Sequence, residues 1–228
     1  MGSEFDYERE TRRHYQDDAV AADYHEAFAK ARGWRGLRFR AVAARERAAV
    51  GAMLARVPHA TVLDLPAGSG KLAPLMRRLG ARVTACDLSP NMLLLARREY
   101  AAAGVREAAF AECDAERLAD TLGGRFEAAV CLRLMHRVPP EARRRILAGL
   151  AAVADHTVVS YGVETGFHAL RRRLRGRLLG GGTDRLCYAP LAEILAEVGG
   201  RFEVLGRAWV VPWLSQEMVL LLRPKRGG

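Results

Sequence analysis

Apolar and polar positions along the chain fall into a repeating rhythm. Short apolar runs at 61–65, 82–86, 107–112, 126–131 and 156–161 have the length and residue types of strands. Helical spacing fills the gaps at 71–79, 90–103, 115–121 and 140–153. Such alternation predicts a parallel sheet with helices on both faces. The end of the chain breaks the rhythm. Residues 191–224 supply a helix, then FEVLGRAWVV (202–211) and EMVLLLRP (217–224), which PWLSQ separates and which predict an antiparallel pair. The expected fold class is α/β: a doubly wound, seven-stranded sheet, mostly parallel, with an antiparallel C-terminal strand.

Ahead of the first strand, helical patterns occupy 8–31 and 37–57, with breaks expected at Gly33 and Gly36. A basic insert, ALRRRLRGRLLGGGTDR (169–185), follows the fifth strand, and its glycines 180–182 mark a turn. Residues 6–228 are read as a single domain with a core at 60–161 and an insert at 163–190. Met1–Phe5, MGSEF, is read as a remnant of cloning.

Composition narrows the picture without naming a function. At 228 residues the chain can bury a substantial core. No apolar run approaches the ~18 residues of a membrane span, and residues 1–18 lack the apolar stretch of a secretory leader. The expected location is the cytoplasm. Cys86, Cys113, Cys131 and Cys187 show no metal-ligand spacing, so buried free thiols and no metal site are expected. The net charge of +10 comes almost wholly from arginine, since only Lys30, Lys71 and Lys225 are lysines. That surplus favours anionic partners: phosphates, nucleic acid or an acidic membrane surface.

The stretch VLDLPAGSGKLA (62–73) carries the chemistry: an apolar strand, a glycine-rich loop and a helix. A P-loop is excluded, because Leu65 stands at the first glycine position and Leu72 at the required hydroxyl. A dinucleotide fingerprint is compatible, since Gly68, Gly70 and Ala73 match GxGxxA and Asp87 follows about twenty residues on. The surroundings add three acids. Asp64 lies within the first strand, where an unpartnered carboxylate is costly. Asp87 opens DLSPNML, in which Ser89 and Pro90 are a helix N-cap and first turn. Asp114 ends the third strand in AECDAERL. All three fall at the carboxyl edge of the predicted sheet, where such folds bind ligands.

With these elements in register, the chain resembles the class I S-adenosylmethionine-dependent methyltransferases, most closely the small bacterial type 11 kind. The resemblance covers 60–223 and rests on DLPAGSG (64–70), DLSPNML, CDAERL, FEAAVCLRLMHRVP and the terminal antiparallel pair. It implies a Rossmann-like fold, S-adenosylmethionine as methyl donor and S-adenosylhomocysteine as product. In such a site Asp64 orders the loop, and Ala67 and Gly68 line the methionine end. Asp87 accepts the ribose hydroxyls, Leu88 packs on adenine, and Asp114 and the Ala115 amide meet the adenine edge. Cys131, Leu132 and Arg133 pass the methionine moiety, and Gly70 keeps a close-approach position. Residues 6–57 become a helical lid in which Tyr24, beside His25, touches the cofactor. Pro66 departs from the pattern: it replaces a glycine, offers no amide and is expected to hold the loop extended.

Methyl transfer needs nucleophile, methyl and sulfur in line and water excluded, with a base only where the acceptor must lose a proton. The family therefore has no fixed catalytic motif. His136 is the candidate base, with loop packing as the alternative. Arg133 is a candidate for an acidic acceptor, and Tyr161, Glu164 and His168 face the same side by topology. The basic segments 30–47, with Trp34 and Phe39 interleaved, and 169–185 suit a phosphorylated or carboxylated metabolite, a lipid headgroup, or an RNA backbone. The expectation is methyl transfer to oxygen or nitrogen of a small, anionic or membrane-peripheral acceptor. RNA, specifically tRNA, methylation and an inactive cofactor-binding partner subunit are the alternatives, and the oligomeric state is left open.

Overall fold

The computed structural model describes residues 33–166, 187–211 and 215–225. Its strands are β1 (Thr61–Asp64), β2 (Arg82–Asp87), β3 (Ala108–Glu112), β4 (Phe126–Cys131), β5 (Ala154–Gly162), β6 (Phe202–Trp209) and β7 (Glu217–Pro224). They form one sheet in the order β3-β2-β1-β4-β5-β7-β6. Strands β1 to β5 pair in parallel, and β7 lies antiparallel between β5 and β6. The expected seven-stranded sheet is present.

The helices are α1 (Gly33–Leu54), α2 (Ala73–Leu79), α3 (Pro90–Ala102), α4 (Leu118–Thr121), α5 (Pro140–Val153) and α6 (Leu191–Gly199). Alternation along the strands divides the core between the two sheet faces. Leu63, Ala129, Cys131, Val159, Leu220 and Leu222 pack with α5 and α6. Their neighbours Val62, Ala128, Val130, Val158, Val219 and Leu221 pack with α1, α2 and α3. Burial on both faces is why these strands read as unbroken apolar runs.

Several boundaries differ from expectation. Helix α1 starts at Gly33 and runs through Gly36 without a break, because glycine near a helix start costs only about 1 kcal/mol and Gly36 is buried. It also ends at Leu54 rather than near 57. The 115–121 helix is divided into a 3₁₀ turn, Ala115–Arg117, and α4, since Asp114 caps the first by accepting from the Glu116 amide at 3.0 Å. Strand β5 begins earlier, at Ala154, where pairing with Phe126 of β4 recruits it. Among the described residues no helix is long and apolar enough to cross a membrane.

Candidate active site

Strands β1 and β4 lead to opposite sides of the sheet's switch point, so their carboxyl ends diverge and leave a crevice. Asp64 closes β1 there, buried, and Oδ2 accepts the Tyr100 hydroxyl at 2.7 Å. Burial pushes its carboxyl up to about 7; the Tyr100 donor opposes this and the nearby Asp87 charge adds to it. Residues 65 and 66 then turn, through a cis Leu65–Pro66 bond, in place of the extended stretch expected at Pro66. A proline amide makes that isomer far cheaper than it is elsewhere.

Beyond the turn, the loop is tied to the end of β2. Ala67 N–H donates to the Cys86 carbonyl at 2.8 Å, and Gly68 N–H donates to Asp87 Oδ2 at 2.8 Å. Asp87 Oδ1 accepts from Ser89 N–H at 3.0 Å. Burial raises the Asp87 carboxyl above its ordinary range, and these amides pull it back. Ser89 in turn accepts from Met92 N–H, capping α3 as the sequence predicts.

The two loop glycines serve different ends. Both have positive φ, +52° at Gly68 and +77° at Gly70. A Cβ on Gly68 would meet nothing within 4 Å, so the cavity reaches the backbone there. A Cβ on Gly70 would lie 2.9 Å from Glu99 Cβ and 3.0 Å from Ala96 Cα, so this glycine lets the loop pack on α3.

The crevice holds a cavity of about 190 Å³. Of the residues expected to hold the cofactor, Asp64, Pro66, Ala67, Gly68, Asp87, Leu88, Asp114, Ala115, Leu132 and Arg133 line it. Gly70 and Cys131 do not; Cys131 is fully buried among β-strand and α5 side chains. His136 is also off the wall, buried and stacked on Tyr188 with ring centroids 5.9 Å apart. Burial, then Arg137 and Arg133, lower its pKa to about 3, so it is poorly placed and too weakly basic to take a proton. Tyr161 is buried with its hydroxyl toward Glu197, 3.4 Å away. Tyr24, His25, His168 and the 169–185 insert lie outside the described residues, as do the side chains of Trp34 and Phe39.

Helix α1, within the segment read as a lid, lines the cavity with Ala43, Glu46 and Arg47, and sequence reading missed the part played there by Glu46. Glu46, buried on that helix, accepts along one edge of the Arg133 guanidinium, Oε1 from Nε at 2.8 Å and Oε2 from Nη2 at 2.6 Å. Arg133 has φ +58°, and its amide donates to Ser160 Oγ at 2.8 Å. Lys71, Arg47 and Arg137 line the cavity beside this pair. An acid in the middle of a polar helix gives no sign in sequence that it is buried.

A family model for a methyltransferase domain matches residues 62–156. The ubiquinone biosynthesis O-methyltransferase of Xanthomonas axonopodis pv. citri is 39% identical over 166 residues, 69% of this chain and 69% of that protein. The enzyme of the same name from Azotobacter vinelandii is 32% identical over 124 residues, covering 54% of this chain and half of its own. The chain belongs to the class I S-adenosylmethionine-dependent methyltransferases. Among solved structures, the magnesium protoporphyrin IX methyltransferase of Synechocystis, with bound S-adenosylhomocysteine, superposes with a TM-score of 0.76. It is 19% identical, covers 92% of this chain and 97% of its own, and supports the fold. For a methyltransferase of this class S-adenosylmethionine is the cofactor, so the dinucleotide reading of Gly68, Gly70 and Ala73 is set aside.

Proposed function

We propose that this methyltransferase transfers a methyl group to an oxygen of a small acceptor bound in the cavity at the carboxyl edge of β1, β2 and β4. The observation that carries the reading is the pairing of open backbone at Gly68 with a buried, cavity-lining Asp87. A carboxylate has about four lone-pair positions. The Gly68 and Ser89 amides take one on each oxygen and the Leu88 amide bears on the same carboxylate, which leaves acceptor capacity for a ribose hydroxyl. The residues therefore suit the cofactor.

Within this reading Asp87 holds the ribose, Leu88 and Ala115 bracket the adenine, and Asp114 takes its amino group. Asp64 and the backbone at Ala67 and Gly68 border the methionine end. When bound, S-adenosylmethionine supplies a methyl carbon activated by its sulfonium. The chain's contribution is to hold the acceptor oxygen in line and keep water out, which the apolar Leu72, Met92, Leu132 and Leu134 on the wall favour. Oxygen is preferred over nitrogen because both relatives described above are named O-methyltransferases. RNA methylation draws no support from relatives named for ubiquinone biosynthesis. An inactive partner subunit draws none either.

Calorimetric titration with S-adenosylhomocysteine, alongside NADH, followed by transfer of labelled methyl to a panel of phenols, catechols and amines, tests the reading. Micromolar binding of S-adenosylhomocysteine alone, with label recovered as methyl ethers, is expected. Label recovered only on amines overturns the oxygen assignment, and NADH binding in place of S-adenosylhomocysteine overturns the placement of the cofactor.

A further inference from the structure

The cavity wall is divided by charge. The ends of β3, β2 and β1 bring Asp114, Asp87 and Asp64 to one side. The other side, built from α1, the Lys71 loop and the segment after β4, carries Arg47, Lys71, Arg133 and Arg137 against Glu46 on the wall, with Glu217 packed against Glu46 behind it. The forked contact with Glu46 fixes Arg133 in place, and among the described residues the cations lining that side outnumber the acids. Burial lowers the Lys71 pKa to about 8, and Arg133, Arg137 and Arg47 act in the same direction against Glu46. A lysine crowded by cations sits in positive potential, and an entering anion relieves it.

We infer that this basic side is the acceptor's anion subsite: Lys71, backed by Arg137 and Arg47, pairs with an oxyanion carried by the small molecule that is methylated. The assignment rests on the methyl-transfer reading above and names the chemistry of its acceptor. The division by charge suits the reaction. The acidic side faces the cofactor's cationic and hydroxyl groups, and the basic side receives the nucleophile's partner. The oxyanion has two sources. A carboxylate anchors the acceptor while a separate hydroxyl reacts. An ionised phenol is itself the nucleophile: its proton has gone to solvent, and its oxygen forms the new bond to carbon as the carbon–sulfur bond breaks and the electron pair returns to sulfur.

Matched pairs of probes, titrated into the full chain saturated with S-adenosylhomocysteine, test the subsite. Protocatechuate against its amide reads a carboxylate; nitrocatechol, ionised near neutral pH, against catechol reads a phenolate. The charged member of at least one pair is expected to bind about tenfold more tightly. Lys71→Gln is expected to erase most of that preference while changing S-adenosylhomocysteine affinity less than about threefold. Arg137→Gln is the second variant, expected to weaken the same preference, and it decides the matter if Lys71→Gln does not fold. Equal binding within both pairs, no binding of any probe, or a preference that survives both substitutions overturns the proposal. So does a loss of about tenfold or more in S-adenosylhomocysteine affinity in Lys71→Gln, which gives the basic side to the cofactor's carboxylate. The two readings fail separately. Failure of the wild type to bind S-adenosylhomocysteine removes the methyl-transfer site, whereas charge-blind binding by the saturated protein removes only the subsite.

Discussion

The Tyr100 hydroxyl donates to Asp64 Oδ2 at 2.7 Å, so the buried acid that ends β1 finds its partner on α3. Burial holds Asp64 near 7 despite this donor, well above the ~3.9 of an unfolded chain. The native state therefore binds more protons than the unfolded state between those values. Stability is fully present below about 4 and falls as pH rises through about 7. Tyr100→Phe removes the one side-chain donor and raises the native pKa further. The expected loss is about 1–3 kcal/mol at pH 8 and clearly less at pH 5, where the carboxyl is protonated in both proteins. Urea unfolding at the two pH values checks this. Equal losses would mean that Asp64 does not titrate in this range.

The two loop glycines separate folding from binding. Gly70→Ala forces a Cβ against the α3 backbone and Glu99 at a positive φ, and should destabilise the protein by about 2–4 kcal/mol. Gly68→Ala meets no atom of the protein, so its cost to stability is about 1 kcal/mol of backbone strain. Its methyl points into the cavity, and S-adenosylhomocysteine affinity should drop about tenfold or more. Thermal unfolding and calorimetry on both variants give the comparison. The reverse pattern would exchange the roles of the two glycines.

The strand ends were legible because apolar runs stop at acids: Asp64, Asp87 and Asp114 all stand at the cavity. The start of α3 was legible too, since Ser89 and Pro90 act locally. What sequence did not disclose depends on contacts distant along the chain. Tyr100 reads as one more residue of an apolar face, and nothing local pairs it with Asp64. Glu46 reads as a solvated charge, yet Arg133, 87 residues on, draws it inside. His136 stands in a loop that borders the crevice, but stacking on Tyr188 turns it away from the cavity. Local patterns record helix starts and sheet faces; they do not record which side chain an adjoining element will supply.

Asp87 has two duties, and two substitutions separate them. Asp87→Ala strips the acceptors from the Gly68 and Ser89 amides and should cost about 1–2 kcal/mol of stability. S-adenosylhomocysteine affinity should fall about a hundredfold. Asp87→Asn retains one acceptor oxygen and should fall between wild type and Asp87→Ala on both scales. Wild-type affinity in Asp87→Ala would move the ribose site elsewhere.

The Arg133–Glu46 pair lies between two regimes of ion-pair energetics. The Glu46 side chain is 8% exposed and that of Arg133 25%, so the pair is only partly screened by water. Glu217, pushed up to about 7 mainly by burial and then by the Glu46 charge, adds a further acid to the same neighbourhood. Arg133→Met leaves Glu46 buried without its guanidinium and close to Glu217. The expected loss is about 2–4 kcal/mol at pH 8. Glu46→Gln alone should cost less, because Arg133 can reach solvent. The double variant should recover a large part of the Arg133→Met loss, since no buried charge is left exposed to the missing partner. Arg133→Lys should fall well short of wild type, because an ammonium cannot reproduce two parallel hydrogen bonds to one carboxylate. Denaturant unfolding of the four variants closes the cycle. Simple additivity of the two single losses would show that the fork positions α1 over the cavity without contributing a coupled interaction of its own.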